Sequence, residues 1–280
     1  MSRLPSSSAT GSASLASACH VIKLGGRALE APGALAACAA AIRDAAAAAP
    51  TLVVHGGGAE VSAWCERAGV TPRFAEGLRV TDAATLEIAA AVLAGLANKR
   101  LVAALRARGV DAVGVSVLDG GIVRARRHTN ASVLGEVGEV ATVDVSLLTT
   151  LLAAGRVPVL ASLGDDGEGA LLNLNADDVA AAIAGALPAA DLVLLSDTPG
   201  LVLDGEVVRS LAAGALDDTL ARPDVTGGMR PKLRAAGQAL AGGVGRVHIA
   251  AWSGPDTLKA ILDGTAVATT LHASHEESHA

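Results

Sequence analysis

Two lysines stand near opposite ends of the 280-residue chain in short glycine-marked segments, Lys23 in VIKLGG (21–26) and Lys232 in TGGMRPK (226–232). Fixed cations and backbone amides arriving from two sides suit phosphoryl transfer, because negative charge spreads over the transferred oxygens and over the attacking and leaving oxygens. Four further segments lie between them: VVHGGG (53–58), GLRVTD (77–82), NLNADDVA (173–180) and LLSDTPG (194–200). Gly25 and Gly26 follow an apolar run, so their amides can face an anion with no side chain in the way. Three consecutive glycines, Gly56, Gly57 and Gly58, lose much chain entropy on folding and mark backbone that approaches a ligand closely. His55, just before them, reads as a strand-end core residue rather than a base. Arg79 carries a guanidinium able to grip a carboxylate through two parallel hydrogen bonds, ahead of a helix that Thr81 or Asp82 can cap.

The elements that must position these groups alternate. HVIKL (20–24) and TLVVH (51–55) are short apolar runs ending in glycines, each followed by a helical pattern, Ala-rich after the first. The alternation continues with a long helix over 82–108, a strand at 111–117, a helix near 144–154 and strands at 157–163, 189–196 and 246–251. Strands separated by helices of this length imply an α/β fold with a mainly parallel central sheet and helices on both faces, whose ligands lie at the C-terminal strand ends. Segment 118–141 reads as a hairpin layered on the first lobe, with Arg124, Arg126 and Arg127 on a solvated face. Asn173 and Asn175 fall at a strand-to-helix junction, with Asp177 and Asp178 in the first turn, where acids complement the helix dipole. Pro231 suits the first position of a helix that points Lys232 toward phosphate. Neither GxxxxGK[ST] nor GxGxxG occurs in a strand–turn–helix context, which excludes P-loop and dinucleotide-binding sites.

Composition narrows the classes further. Half of the residues are apolar, yet only Trp64, Trp252 and Phe74 are aromatic, so Ala, Val and Leu fill the core. A net charge of −6 and the scarcity of aromatics argue against nucleic-acid binding. Cys19, Cys38 and Cys65 have neither disulfide nor zinc-site spacing, which fits a reducing cytoplasm. No run of ~18 strongly apolar residues is free of charge, so no membrane span is expected. Residues 1–19 and 269–280 read as disordered extensions, the latter with His272, His275 and His279 in a solvated tail.

The ordered set of motifs, from about residue 20 to 265, resembles the amino acid kinase superfamily and, within it, the acetylglutamate kinases. That resemblance implies a three-layer sandwich of two lobes, an acyl-amino-acid and dimerisation lobe at 20–170 and a nucleotide lobe at 171–268. It implies ATP and Mg²⁺, and transfer of the γ-phosphoryl to the side-chain carboxylate of N-acetyl-L-glutamate in arginine biosynthesis. Lys23 and Lys232 would meet the phosphoryl group, Asp177 would hold both lysines, and the amides of Gly26, Gly57 and Gly58 would cover its oxygens. Arg79 and Asn173 would bind the substrate's α-substituents; Asp197, Thr198, Gly200 and Thr226 would lie beside the nucleotide. Arg230 has no assigned role. Alternatives are a kinase acting on α-aminoadipate or glutamate attached to a carrier protein, docking on the basic hairpin, and a non-catalytic amino-acid sensor. The family's arginine-inhibited members carry a linking N-terminal helix and a C-terminal signature. Here Met1–Cys19 holds only two leucines, Ala250 and Ala251 replace the signature glutamate, and only Gly264–Thr265 remains. A homodimer insensitive to arginine is therefore expected.

Overall fold

The computed structural model describes residues 19–25, 33–75 and 77–273. Gly26, the extension before Cys19 and residues 274–280 with His275 and His279 lie outside the described residues. In chain order the first part comprises β1 (His20–Leu24), α1 (Ala34–Ala48), β2 (Thr51–His55), α2 (Gly58–Arg67), β3 (Phe74–Ala75), β4 (Leu78–Arg79), the long helix α3 (Ala83–Arg106) and β5 (Ala112–Ser116). Next come β6 (Val123–Arg127), α4 (Ala131–Leu134), β7 (Val137–Val143), α5 (Ser146–Ala153), β8 (Val157–Ala161), β9 (Leu163–Asp165), β10 (Leu171–Leu174) and α6 (Ala176–Ala186). The last part holds β11 (Asp191–Ser196), β12 (Val202–Leu203), β13 (Glu206–Val207), β14 (Ser210–Ala212), α7 (Leu216–Ala221), α8 (Met229–Ala241), β15 (Arg246–Ala251), α9 (Thr257–Leu262) and β16 (Thr269–His272).

Eight strands form the central sheet in the order β14-β16-β15-β11-β1-β2-β8-β5. Every pair is parallel except β15 with β16. Side chains alternate between faces, which is why the strands read as continuous apolar runs. Val21, Leu52, Val54 and Leu192 pack with α5, α6 and α8 through Leu148, Ile183 and Leu233. Ile22, Val53, Val159 and Val193 pack on the other face with α1, α3 and α9 through Ile42, Leu101 and Ile261. The small-residue core has a steric purpose at one crossing: a Cβ on Gly242 of the loop after α8 would lie 2.7 Å from the Gly185 Cα in α6.

β6 and β7 pair antiparallel as the expected hairpin and close a small four-stranded barrel with β9 and β10. The expected lobe division near residue 170 falls between β9 and β10, which pair antiparallel, and the eight-stranded sheet runs through both halves. The expected disordered tail from 269 is corrected: Thr269–His272 is β16, zipped to β14 and β15, with the His272 ring 2.9 Å from the Ser210 hydroxyl. The apolar run was too short to stand out beside the histidine-rich end. Helix α3 is, by length and composition, apolar enough to cross a membrane, although Glu87, Lys99 and Arg100 interrupt its apolar run. Its inner face supplies Val92, Leu93, Leu101 and Leu105 to the core.

At the N-terminal edge of the sheet, buried Asp191 is met by His248 at 2.9 Å, Arg246 at 2.8 Å and His20 at 3.2 Å. Burial alone would raise its carboxyl; these three partners outweigh it and hold the group well below the usual carboxylate range. The opposite edge carries the motifs. Chain order reverses at β1, with β2 on one side and β11 on the other, leaving a crevice outside their carboxyl ends.

Candidate active site

Lys23 is the penultimate residue of β1 and is 8% exposed, so its ammonium needs a partner. Asp177 supplies one. The Asn175 side chain caps α6 by accepting from the Asp177 and Asp178 amides at 2.8 and 3.4 Å, which fixes the first turn at the crevice. The Asp177 carboxylate then splits its oxygens: Oδ1 lies 2.7 Å from Lys23 Nζ, and Oδ2 accepts a hydrogen bond from Lys232 Nζ at 2.7 Å. Burial pushes this carboxyl up, but the Lys23 and Lys232 charges prevail and hold it below the usual range. One carboxylate against two ammonium groups leaves a surplus positive charge beside a helix N-terminus, an arrangement that attracts phosphate.

Lys232 comes from α8, and the turn before that helix is pinned by a residue without an assigned role. Arg230 Nε donates to the Val225 carbonyl at 2.5 Å and Nη2 to the Arg222 carbonyl at 3.3 Å. The helix starts at Met229, so Pro231 occupies its third position rather than the first. It still falls in the first turn, where a missing N–H costs nothing.

A cavity of about 310 Å³ is walled by Lys23, Gly57, Gly58, Arg79, Asn173 and Asp177. Arg79, 8% exposed, donates from Nη2 to the Gly58 carbonyl at 2.6 Å and to Ser62 Oγ at 2.8 Å. Its guanidinium carbon sits 4.8 Å from the centre of the Phe74 ring, a cation–π contact. Nη1 is buried without a partner, a costly state unless an anion arrives in the cavity. Asn173 on β10 donates to Thr81 Oγ1 at 3.1 Å, tying the floor of the cavity to the segment just after Arg79. Asp82 caps α3 through the Thr85 amide at 2.9 Å.

The remaining expected residues lie elsewhere. Asp197, Thr198 and Gly200 follow β11 at the same sheet edge but are not in the cavity wall, and neither is Thr226. Gly200 has a packing reason of its own: its φ is 150°, and a Cβ there would lie 2.5 Å from Thr269 Oγ1. Arg126 and Arg127 of the basic hairpin are engaged by Glu139 and Glu136. Asp178, the second helix-start acid, is pushed up to about 6 by burial and then by the charges of Asp177 and Glu139. Sequence reasoning missed Ser62 and Phe74. Their partner Arg79 is 17 residues from Ser62, and no local pattern marks such a contact.

Comparison with known proteins bears on the family. The model of the amino acid kinase family matches residues 18–251. An acetylglutamate kinase of Symbiobacterium thermophilum is 49% identical over 209 residues, covering 71% of each chain. One from Chloroflexus aurantiacus is 45% identical over 232 residues, 82% of this chain and 90% of its own. The structure of N-acetylglutamate synthase from Neisseria gonorrhoeae with coenzyme A and N-acetyl-glutamate superposes with a TM-score of 0.79 at 26% identity, covering 95% of this chain and 62% of that one.

Proposed function

The chain belongs to the amino acid kinase family, and from that premise we propose that it is an acetylglutamate kinase, transferring the γ-phosphoryl of ATP to the side-chain carboxylate of N-acetyl-L-glutamate. The observation that carries the reading is the pair of charged walls. Lys23 and Asp177 form one, with Lys232 held on the second Asp177 oxygen outside the cavity lining, and Arg79, whose Nη1 is buried without a partner, lines the other. The acceptor carboxylate is ionised at neutral pH and is itself the nucleophile, so no general base is needed. Positioning and charge neutralisation then carry the reaction.

Lys23 meets the transferring phosphoryl group from the sheet side, and Lys232 meets it from the nucleotide side. Asp177 keeps the two ammonium groups together. Amides of the Gly56–Gly58 loop, with Gly26, cover the equatorial oxygens. Arg79 and Asn173 hold the α-carboxylate and acyl-amide of the acceptor, and the loops at Asp197–Gly200 and Thr226 take the nucleotide. Mg²⁺ neutralises phosphate charge when bound. No group of three or more His, Cys, Asp or Glu able to hold a metal occurs among the described residues, and Asp177 is already taken by two lysines. In this reading the nucleotide's own phosphates would carry the ion.

The working unit in this reading is a homodimer joined through first-lobe helices. Support comes from α3, whose most apolar window is only 39% buried among the described residues. All three cysteines are free and buried, in keeping with a reducing compartment such as the cytoplasm. A coupled ADP-release assay offering free N-acetyl-glutamate, N-succinyl-glutamate and a carrier-linked α-aminoadipate tests the assignment. Turnover confined to the carrier-linked acceptor would overturn it.

A further inference from the structure

His55 is fully buried, and the charged walls of the cavity do not use it. Burial lowers its pKa, so the ring is neutral and one nitrogen must accept while the other donates. The partners fix which does which. Asn98 Nδ2 lies 3.1 Å from Nε2, and an amide N–H₂ can only donate, so Nε2 is the acceptor. The proton is then on Nδ1, 2.9 Å from the Gly56 carbonyl to which it donates.

Asn98 is held as firmly as it holds the ring. Its Nδ2 also donates to the Val159 carbonyl at 2.9 Å, and its Oδ1 accepts from Lys99 Nζ at 3.0 Å. Lys99 is anchored in turn on the Gly114 carbonyl at 2.9 Å. Two departures from regular structure make room for this side chain. Residues Ala91–Ala97 of α3 form a π-helical stretch that ends at Asn98 and resets the helix phase there. Gly114 of β5 has no side chain where a Cβ would lie 2.1 Å from Asn98 Oδ1.

The consequence reaches the cavity through one peptide plane. In a trans peptide the C=O and the following N–H point in opposite directions, and no described peptide bond is cis. Drawing the Gly56 carbonyl down onto His55 turns the Gly57 N–H away from the ring, and Gly57 lines the cavity. We propose that His55, seated by Asn98, is a positioning residue that locks the Gly56–Gly57 peptide so that the Gly57 amide is aimed at the transferring phosphoryl group. This inference rests on the kinase reading given above.

The test pairs His55→Leu, which removes the donor, with His55→Asn, whose Nδ2 can occupy the place of the imidazole Nδ1. Expected for His55→Leu is a fall in kcat of about 10- to 100-fold, part of the typical loss for one oxyanion donor, with KM for both substrates held within about twofold. His55→Asn should recover most of that fall. Selective ¹⁵N-glycine labelling supplies a readout independent of turnover: the Gly57 amide resonance of the nucleotide-bound protein should move in His55→Leu and return in His55→Asn. Full activity of His55→Leu, equal loss in both variants, or a rise in KM in step with the fall in kcat overturns the proposal. Should His55→Leu fail to fold, Asn98→Ala leaves the ring present but unseated and carries the same expectation; wild-type kcat there overturns the proposal. A wild-type chain inactive on every N-acyl-glutamate defeats the kinase reading instead, and the Gly57 resonance still decides the role of His55.

Discussion

Replacing Asp177 with Asn separates the two tasks given to that carboxylate. It is 5% exposed and touches two ammonium groups at 2.7 Å each, so the variant leaves a buried cation, Lys23, and a half-buried one, Lys232, facing an amide that can offer an oxygen to only one of them. Breaking a buried ion pair by removing one partner costs roughly 3–5 kcal/mol, against about 5–15 kcal/mol for a typical domain, so the variant should fold but be clearly weakened. The pH dependence gives the sign. The folded-state pKa of Asp177 lies below its ordinary value, so its stabilising effect is fully present above about 3.9, the unfolded value, and is lost as pH falls toward the folded pKa. Urea midpoints of wild type and Asp177→Asn should therefore differ most at neutral pH and converge in acid. In steady-state assays kcat should fall on the order of 10²–10³-fold, as for loss of an electrostatic donor. ATP affinity measured by calorimetry should hold or increase, because the site has lost a negative charge. A folded variant with wild-type kcat, or one whose destabilisation grows as the pH is lowered, would refute the reasoning.

Lys23→Ala and Lys232→Ala should each lower kcat by about 10²–10³-fold while changing KM little, since both meet charge that is larger in the transition state; near-normal kcat in either speaks against a two-lysine mechanism. Arg79→Ala should raise KM for the acyl-amino acid and spare ATP binding, so a large loss of nucleotide affinity by calorimetry would reverse the lobe assignment. Asp178→Asn should stabilise the fold by up to about 3 kcal/mol at neutral pH, because a carboxyl raised to about 6 penalises folding once pH exceeds its unfolded value of about 3.9. Thermal melts that show no gain at pH 7.5 would rule this out. Light scattering and activity with millimolar arginine should show an uninhibited dimer, given Ala250 and Ala251 in place of the family's glutamate; a hexamer or complete inhibition contradicts it.

The strands were legible because a sheet covered on both faces needs apolar runs, which β2, β8 and β11 have unbroken and β1 and β15 have with one buried polar residue each, Lys23 and His248. The lysine and aspartate cluster was legible only through the resemblance, since Lys23, Asp177 and Lys232 share no local pattern. Helix-start signals were read less well. Asp82 and Asn175 cap as their types suggest, but Pro231 sits two positions deeper than expected because Gly228 opens the helix in α geometry. Strand β16 was missed because four residues beside an acidic, histidine-rich end carry too little apolar pattern. Asn98 gave no signal at all: its importance lies in contacts to His55 and Val159, 43 and 61 residues away.

Glycine shows where sequence reading loses its footing, because one residue type serves two physical needs. Gly25 looked like an anion-facing turn, yet a Cβ there would lie 2.6 Å from the Leu195 carbonyl, so close strand packing already demands it. Gly200, expected beside the nucleotide, is likewise required by Thr269. At Gly58 the nearest atom to an added Cβ is Arg79 Nη2 at 4.0 Å, and at Gly56 it is the Ala176 Cβ at 3.6 Å. Neither position is crowded by the fold, and both line the cavity. Absence of a side chain at these two sites therefore keeps space for something other than protein. Gly57 lies between the cases: a Cβ would come 2.9 Å from the Leu93 Cδ2, a side-chain end that can shift, while its amide belongs to the peptide whose carbonyl His55 holds. The triple-glycine loop is thus set apart from the other glycine turns by what its neighbours leave open, a property of the folded chain rather than of the motif.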